Sequence, residues 1–84
     1  MSEAEARIEV GLGGRYGMEL TSVKGLISIT LSVKEHERQR LAGLSTSDLL
    51  QLSKSELSQV VQPDLVREVM VGYDGETVQM ILSI

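Results

Sequence analysis

An alternating run of apolar and polar residues, LISITLSV at positions 26–33, constrains the fold of this chain more than any other segment. Successive side chains of a β-strand point to opposite faces of its sheet, so this period of two predicts a strand with one buried and one solvated face. Ile27, Ile29, Leu31 and Val33 fall on one face of this strand, and Ser28, Thr30 and Ser32 fall on the other. The pattern therefore favours a small sheet with one face against a core.

Two further alternating segments precede this strand and predict an antiparallel meander. Residues 7–12 and residues 16–20 alternate in the same way, and glycines between them supply a turn. A three-residue loop at 13–15 keeps the apolar residues of both strands on one face, because register follows the hydrophobic pattern. A two-residue turn at Lys24-Gly25 joins the second strand to the third. The pairs predicted across that turn are Leu20 with Ile29, Met18 with Leu31 and Tyr16 with Val33.

The hydrophobic period changes after Val33 and predicts helices. Ser32-x-x-Glu35 has capping-box form and Gly43 is placed as a stop, which indicates a helix over about 34–42. A second helix is predicted over about 46–61, because its apolar residues share an arc of about 120° at helical spacing. These residues are Leu49, Leu50, Leu57, Val60 and Val61. Ser53-x-x-Glu56 also has capping form, so the sequence leaves open whether this segment is one helix or two.

The last third of the chain predicts a C-terminal hairpin. Pro63 ends or kinks the helical region. The segment 63–71 suits either a helix or a strand, and its valines together with the Asp74-Gly75 turn favour a strand over about 67–73. The final strand covers 77–84. A two-residue turn at 74–75 pairs Val71 with Val78 and Val69 with Met80.

The predicted architecture is an α+β fold of order β-β-β-α-(α)-β-β. A small antiparallel sheet, made of a three-stranded meander and a C-terminal hairpin, is covered on one face by one or two helices. Residues 1–6 are predicted to be a flexible polar lead-in, and residues 7–84 a single domain.

The composition predicts a small aliphatic core. The chain has 84 residues, no Phe, no Trp and no Cys, and its only aromatic residues are Tyr16 and Tyr73. Aromatic side chains bury the largest areas, and disulfides or metal sites are the usual substitutes in small domains. We therefore expect the chain to complete its burial by association, either as a homo-oligomer or with another protein.

Charge and hydropathy limit the partners and the location. The net charge of −4 disfavours non-specific attraction to phosphate backbones or anionic lipid. No apolar run approaches the roughly 20 residues of a membrane span, and the acidic start MSEAEAR lacks the basic and apolar regions of a secretory signal. A cytoplasmic location is the expectation.

The residues that could carry chemistry favour no enzyme, cofactor or metal. The glycine-rich segment 11–17 lacks both the dinucleotide fingerprint and the P-loop lysine, and it reads as a turn between strands. His36 is the only histidine, so without cysteine a metal site would need carboxylates, and on a helix Glu35, His36 and Glu37 point about 100° apart and cannot bind one ion together. No Gly-x-Ser-x-Gly elbow is present for a nucleophilic serine. We expect no catalytic residue and no cofactor.

The sequence favours a non-enzymatic protein–protein interaction module that associates with itself. Such a module would serve as an adaptor, an assembly component or an inhibitor. The expected contact residues are Met80, Leu82 and Ile84 on the terminal strand, with Leu49, Leu50 and Leu57 on the helix as the competing choice. The terminal strand is either a free edge open to strand addition or a central strand paired on both sides. The alternative function is nucleic-acid binding through the basic segment 34–40, by Lys34, Arg38 and Arg40.

Overall fold

A computed structural model of the chain, which describes residues 2–84, contains three α-helices and one four-stranded antiparallel sheet. The helices are α1 (Glu3–Gly11), α2 (Glu35–Ala42) and α3 (Thr46–Ser58). The strands are β1 (Met18–Val23), β2 (Leu26–Ser32), β3 (Glu68–Tyr73) and β4 (Thr77–Ser83), and a 3₁₀ turn spans Pro63–Leu65. The predicted α+β class is confirmed, whereas the chain begins with a helix instead of a strand.

The strands lie in the order β1-β2-β4-β3, and every neighbouring pair is antiparallel. After β2 the chain passes through α2 and α3, reaches β3 at the far edge, and returns as β4 between β3 and β2. The C-terminal strand is therefore central and is paired on both sides. The sequence left open whether this strand is a free edge or a central strand, and the structure shows that it is central. The two edges of the sheet are β1 and β3.

The predicted first strand over 7–12 is wrong, because residues 7–11 lie in α1 and Leu12 is its C-cap residue. Ala4, Ile8 and Leu12 are spaced four residues apart and are all buried, whereas Val10 is 80% exposed. Spacing of four residues marks one face of a helix, so alternation at positions 8, 10 and 12 was misleading. The predicted three-stranded meander is therefore a two-stranded hairpin of β1 and β2. Residues 3–6, assigned to the polar lead-in, form the first turn of α1.

The start of α1 is held by a capping box. Ser2 Oγ accepts a hydrogen bond from the Glu5 backbone N–H at 3.2 Å, and the Ser2 N–H donates to Glu5 Oε1 at 3.4 Å. The same motif at Ser32-x-x-Glu35 does not cap α2, and that prediction is wrong, because Lys34 is the N-cap residue. Ser32 instead belongs to β2, where its backbone N–H donates to the Gly17 carbonyl at 2.8 Å.

The segment 46–58 forms one helix, which resolves the choice between one helix and two. The Ser45 hydroxyl caps α3 by accepting from the Asp48 N–H at 3.1 Å. Ser53, the candidate cap of a separate helix, is buried in the middle of α3. Gly43 ends α2 as predicted.

Removal of the Ser45 cap is expected to destabilise the domain. Ser45→Ala leaves the Asp48 N–H without its acceptor, which should lower the free energy of unfolding by about 1 kcal/mol. Urea denaturation followed by circular dichroism measures this change. Ser47→Ala, at an exposed position in the first turn of the same helix, is the control and should change stability by only a few tenths of a kcal/mol. Equal losses in the two variants would contradict the assigned cap.

The β1–β2 hairpin has the predicted turn and register. Lys24 and Gly25 both adopt positive φ angles, 48° and 83°, as a two-residue type I′ turn requires. The predicted pairs of Leu20 with Ile29 and Met18 with Leu31 are confirmed. The β1–β2 register ends at Met18, so the third predicted pair, between Tyr16 and Val33, is not part of it.

The β3–β4 hairpin is displaced by two residues from its predicted register. Val71 lies opposite Met80 and Val69 opposite Leu82, so the predicted pairs with Val78 and Met80 are wrong. A shift of two residues keeps every side chain on its face, which is why the burial pattern still follows the sequence. Asp74 organises the turn, because its Oδ1 accepts from the N–H groups of Thr77 at 2.7 Å and Glu76 at 2.9 Å. These hydrogen bonds hold the pKa of Asp74 below its usual value, and the bond from the Thr77 N–H contributes most.

The core lies between the helices and one face of the sheet. Its members are aliphatic residues from all three helices, from β2 and from β4, with Met80 as its methionine. The largest fully enclosed side chains are Ile8, Leu12, Ile27, Ile29, Met80 and Leu82. The opposite face of the sheet has no helix upon it and forms the surface described next.

Candidate interaction surfaces

The outer face of the sheet is the side turned away from the three helices. The strand registers place its residues in rows that run across the sheet from β1 to β3. These rows are Val23, Leu26, Ser83 and Glu68; then Thr21, Ser28, Ile81 and Met70; then Glu19, Thr30, Gln79 and Gly72. The outer face is thus a continuous surface built from all four strands.

Apolar side chains are concentrated on the outer face. Val23, Leu26, Met70 and Ile81 are 65%, 51%, 65% and 43% exposed, and they account for four of the five exposed large hydrophobic side chains in residues 2–84. The fifth, Val10, lies on α1. Single exposed apolar residues are ordinary on protein surfaces, but several on one face mark an interaction site.

Charged side chains are confined to the edges of the outer face. Glu19 lies on the edge strand β1, and Glu68 lies on the opposite edge strand β3. The central strands β2 and β4 present only apolar, hydroxyl and amide side chains on this side. An uncharged centre with charges at the rim is the typical composition of a protein–protein interface.

The structure places most of the predicted contact residues inside the domain. Met80 and Leu82 on β4 and Leu49 and Leu57 on α3 are buried in the core. The remaining two, Leu50 and Ile84, are half-buried. The side chains of β4 that reach the outer surface alternate with the predicted ones, and Ile81 is the apolar residue among them.

The outer-face residues were missed because they occupy the positions that sequence alternation assigns to solvent. Ile81 follows Gln79 and precedes Ser83 on what reads as the polar side of the last strand. Leu26 and Met70 likewise stand out of phase with the buried residues of their strands. Apolar residues at solvent-facing strand positions were the available signal.

The basic residues of the alternative function, nucleic-acid binding, lie at the start of and along α2. Lys34 is the N-cap residue, and Arg38 Nε donates to the Val33 carbonyl at 3.4 Å. Arg40 Nη2 lies 4.0 Å from Glu37 Oε1. Two of the three cations thus already have partners within the domain, and nucleic-acid binding stays a prediction.

A groove runs beside the edge strand β3. It lies between α3 and the first residues of β3 and has a volume of about 440 Å³. Its apolar lining comes from Leu57, Val61, Val66 and Val69, and its charged lining comes from Lys54, Arg67 and Glu68. Val69 belongs to both the groove and the sheet edge.

A second cavity of about 170 Å³ lies between the sheet and the helices α2 and α3. Ser53, the one buried polar residue of the described chain, contributes to its wall. Glu56 also lines it, and its Oε2 atom is buried without a hydrogen bond, 3.4 Å from Arg15 Nη2. This ion pair ties the loop after α1 to α3.

Comparison with protein-family models, curated proteins and solved structures finds no match to this chain. Residues 2–84 contain no helix long and apolar enough to cross a membrane, and no cluster of three or more metal-ligating side chains. The surfaces themselves therefore carry the argument about function.

Proposed function

We propose that this protein is a small interaction module that associates with a second copy of itself through the outer face of the sheet. The observation that carries the proposal is the concentration of four exposed apolar side chains on the one sheet face that no helix covers. Burial of such side chains is the main source of free energy in protein association. An adaptor, an assembly component and an inhibitor are the roles that suit a module of this kind.

A second copy suits the outer face because the centre of the face carries no charge, so two such centres meet without electrostatic repulsion. Two such faces packed like the sheets of a β-sandwich, about 10 Å apart, place uncharged centres against each other. Glu19 and Glu68 lie on opposite edge strands, so they stay at the solvated rim. Water therefore continues to solvate both carboxylates in the dimer, and no charge is buried.

The size of the outer face predicts a weak dimer. Four strands about 4.8 Å apart, with six or seven residues at about 3.3 Å each, give a footprint of roughly 400 Å². Stable interfaces bury about 800 Å² on each partner, so this one falls in the class of transient associations. The expected dissociation constant is in the micromolar range or weaker.

Sedimentation velocity over a series of concentrations tests the proposal. The unmodified protein should show a weight-average sedimentation coefficient that rises with concentration. Ile81→Lys places a charge at the centre of the outer face and should weaken association at least about 100-fold, since a desolvated unpaired charge costs several kcal/mol.

Val10→Lys is the matched control, because Val10 is an exposed apolar residue on α1, away from the sheet. It should leave the concentration dependence unchanged. A protein that stays monomeric at all concentrations would overturn the proposal, and so would equal effects of the two lysine variants. Circular dichroism checks that both variants keep the fold. A non-enzymatic role without a cofactor and a cytoplasmic location stay predictions.

A further inference from the structure

We propose that the groove between α3 and β3 binds an extended, acidic segment of another polypeptide, which pairs as a fifth strand with the open edge of β3. The site differs from the outer face and does not depend on self-association. Three observations meet at this place: an unpaired strand edge, an apolar groove beside it, and basic side chains without ion-pair partners.

The backbone of β3 offers hydrogen bonds on its open side. The Asp74 N–H donates to the Thr77 carbonyl at 3.2 Å, which sets the phase of the antiparallel pairing with β4. Every second residue of an antiparallel strand directs its N–H and C=O groups to the same neighbour. Since Asp74 bonds to β4, Gly72 and Met70 do so as well. The N–H and C=O groups of Val69, Val71 and Tyr73 point to the open edge instead. An added strand finds its main-chain partners there.

The groove gives such a strand a place for its side chains. Its volume of about 440 Å³ lies within the roughly 300–1,000 Å³ of ordinary ligand sites. Leu57 and Val61 supply apolar surface from the helical side, and Val69 supplies it from the strand itself. Because alternate residues of an added strand face the helical layer, every second side chain of the bound segment would enter the groove.

The charges of the groove favour an acidic partner. Lys54 and Arg67 are exposed, and the ion pairs within residues 2–84 involve Arg7, Arg15 and Arg40 instead. With Glu68 the charged lining sums to +1, whereas the whole chain has a net charge of −4. This local reversal of sign attracts carboxylates and selects against a basic segment.

Fluorescence anisotropy with two labelled peptides of about eight residues tests the proposal. In one peptide the residues at every second position, which enter the groove, are valine and glutamate in turn with serine between them, and in the other peptide lysine replaces glutamate. The glutamate peptide should bind with a dissociation constant of about 10–100 µM, and the lysine peptide at least about tenfold more weakly. Lys54→Glu combined with Arg67→Glu should reverse this preference.

Two further variants test strand pairing itself. Val71→Pro removes an N–H group that points to the open edge and breaks no bond to β4, so the fold should survive while binding of the glutamate peptide is lost. N-methylation of alternate backbone amides of the peptide should abolish binding for the same reason.

No binding of either peptide up to about 1 mM would overturn the proposal, as would equal binding of the N-methylated peptide or an unchanged preference in the double variant. If the protein forms a dimer that Val71→Pro abolishes and Ile81→Lys leaves intact, the edge of β3 pairs with a second copy of the chain. That result would also overturn the proposal of an acidic partner. The failure of self-association through the outer face would leave this test unaffected.

Discussion

Leu82→Ala is expected to lower the free energy of unfolding by about 2–4 kcal/mol, one of the two largest effects of a single substitution in this domain. The Leu82 side chain has no exposed surface and lies between Ile27 on β2 and Val69 on β3. Its truncation removes apolar burial and leaves a cavity that a closed sheet centre cannot fill by relaxation. For a domain of this size the loss corresponds to a fall in Tm of about 10–25 °C.

Ile81→Ala is the control for Leu82→Ala, since it removes a similar side chain from the next position of the same strand. Ile81 is 43% exposed on the outer face, so its truncation should cost less than about 1 kcal/mol in the monomer. Urea denaturation at low protein concentration, where dimers are dissociated, measures both. Equal losses would contradict the division of β4 into a core side and a surface side.

Gly11→Ala is expected to destabilise the domain by about 1–3 kcal/mol, although alanine is the better helix former. A Cβ atom at Gly11 would lie 2.7 Å from Val60 Cβ, a separation that requires a backbone shift. Val60 follows α3 and is half-buried, so α1 and the end of α3 approach closely at this point. The glycine is therefore required by packing and not by its conformation.

The double variant Gly11→Ala with Val60→Gly should recover most of this loss relative to Val60→Gly alone, because both the Cβ atom and the methyl groups of Val60 that obstruct the new methyl group are gone. Gly72→Ala is the control, since a Cβ atom there meets nothing within 4 Å. It should change stability by about 0.5 kcal/mol or less. Thermal and urea unfolding measure all four variants, and a stabilised Gly11→Ala protein would contradict the close approach.

The elements that sequence reasoning found are those with strong local signals. The period of two in β2 and the turn at Lys24-Gly25 are properties of short segments, and both are confirmed. Helix α2 ends at Gly43 as predicted, and α3 follows from its spacing of leucines. In each case the local conformational preference and the burial pattern agree, so no tertiary contact was needed to choose between them.

Helix α1 shows where the local pattern is ambiguous. Residues 8, 10 and 12 alternate as in a strand, whereas 4, 8 and 12 have the spacing of a helix. The capping box of Ser2 and Glu5 favoured the helix, and it is present in the sequence. The identical motif at Ser32 is overridden by strand pairing, so such a motif alone does not decide the structure.

The sequence by itself determined the α+β class, the β1–β2 hairpin, helices α2 and α3, and the two C-terminal strands. Only the tertiary structure decided that the last strand lies inside the sheet, and with it which apolar residues are buried and which form the outer face. The physical reason is that turns and helices depend on neighbours a few residues apart. The order of strands depends on contacts between β2 and β4, whose residues are about fifty positions apart in the chain.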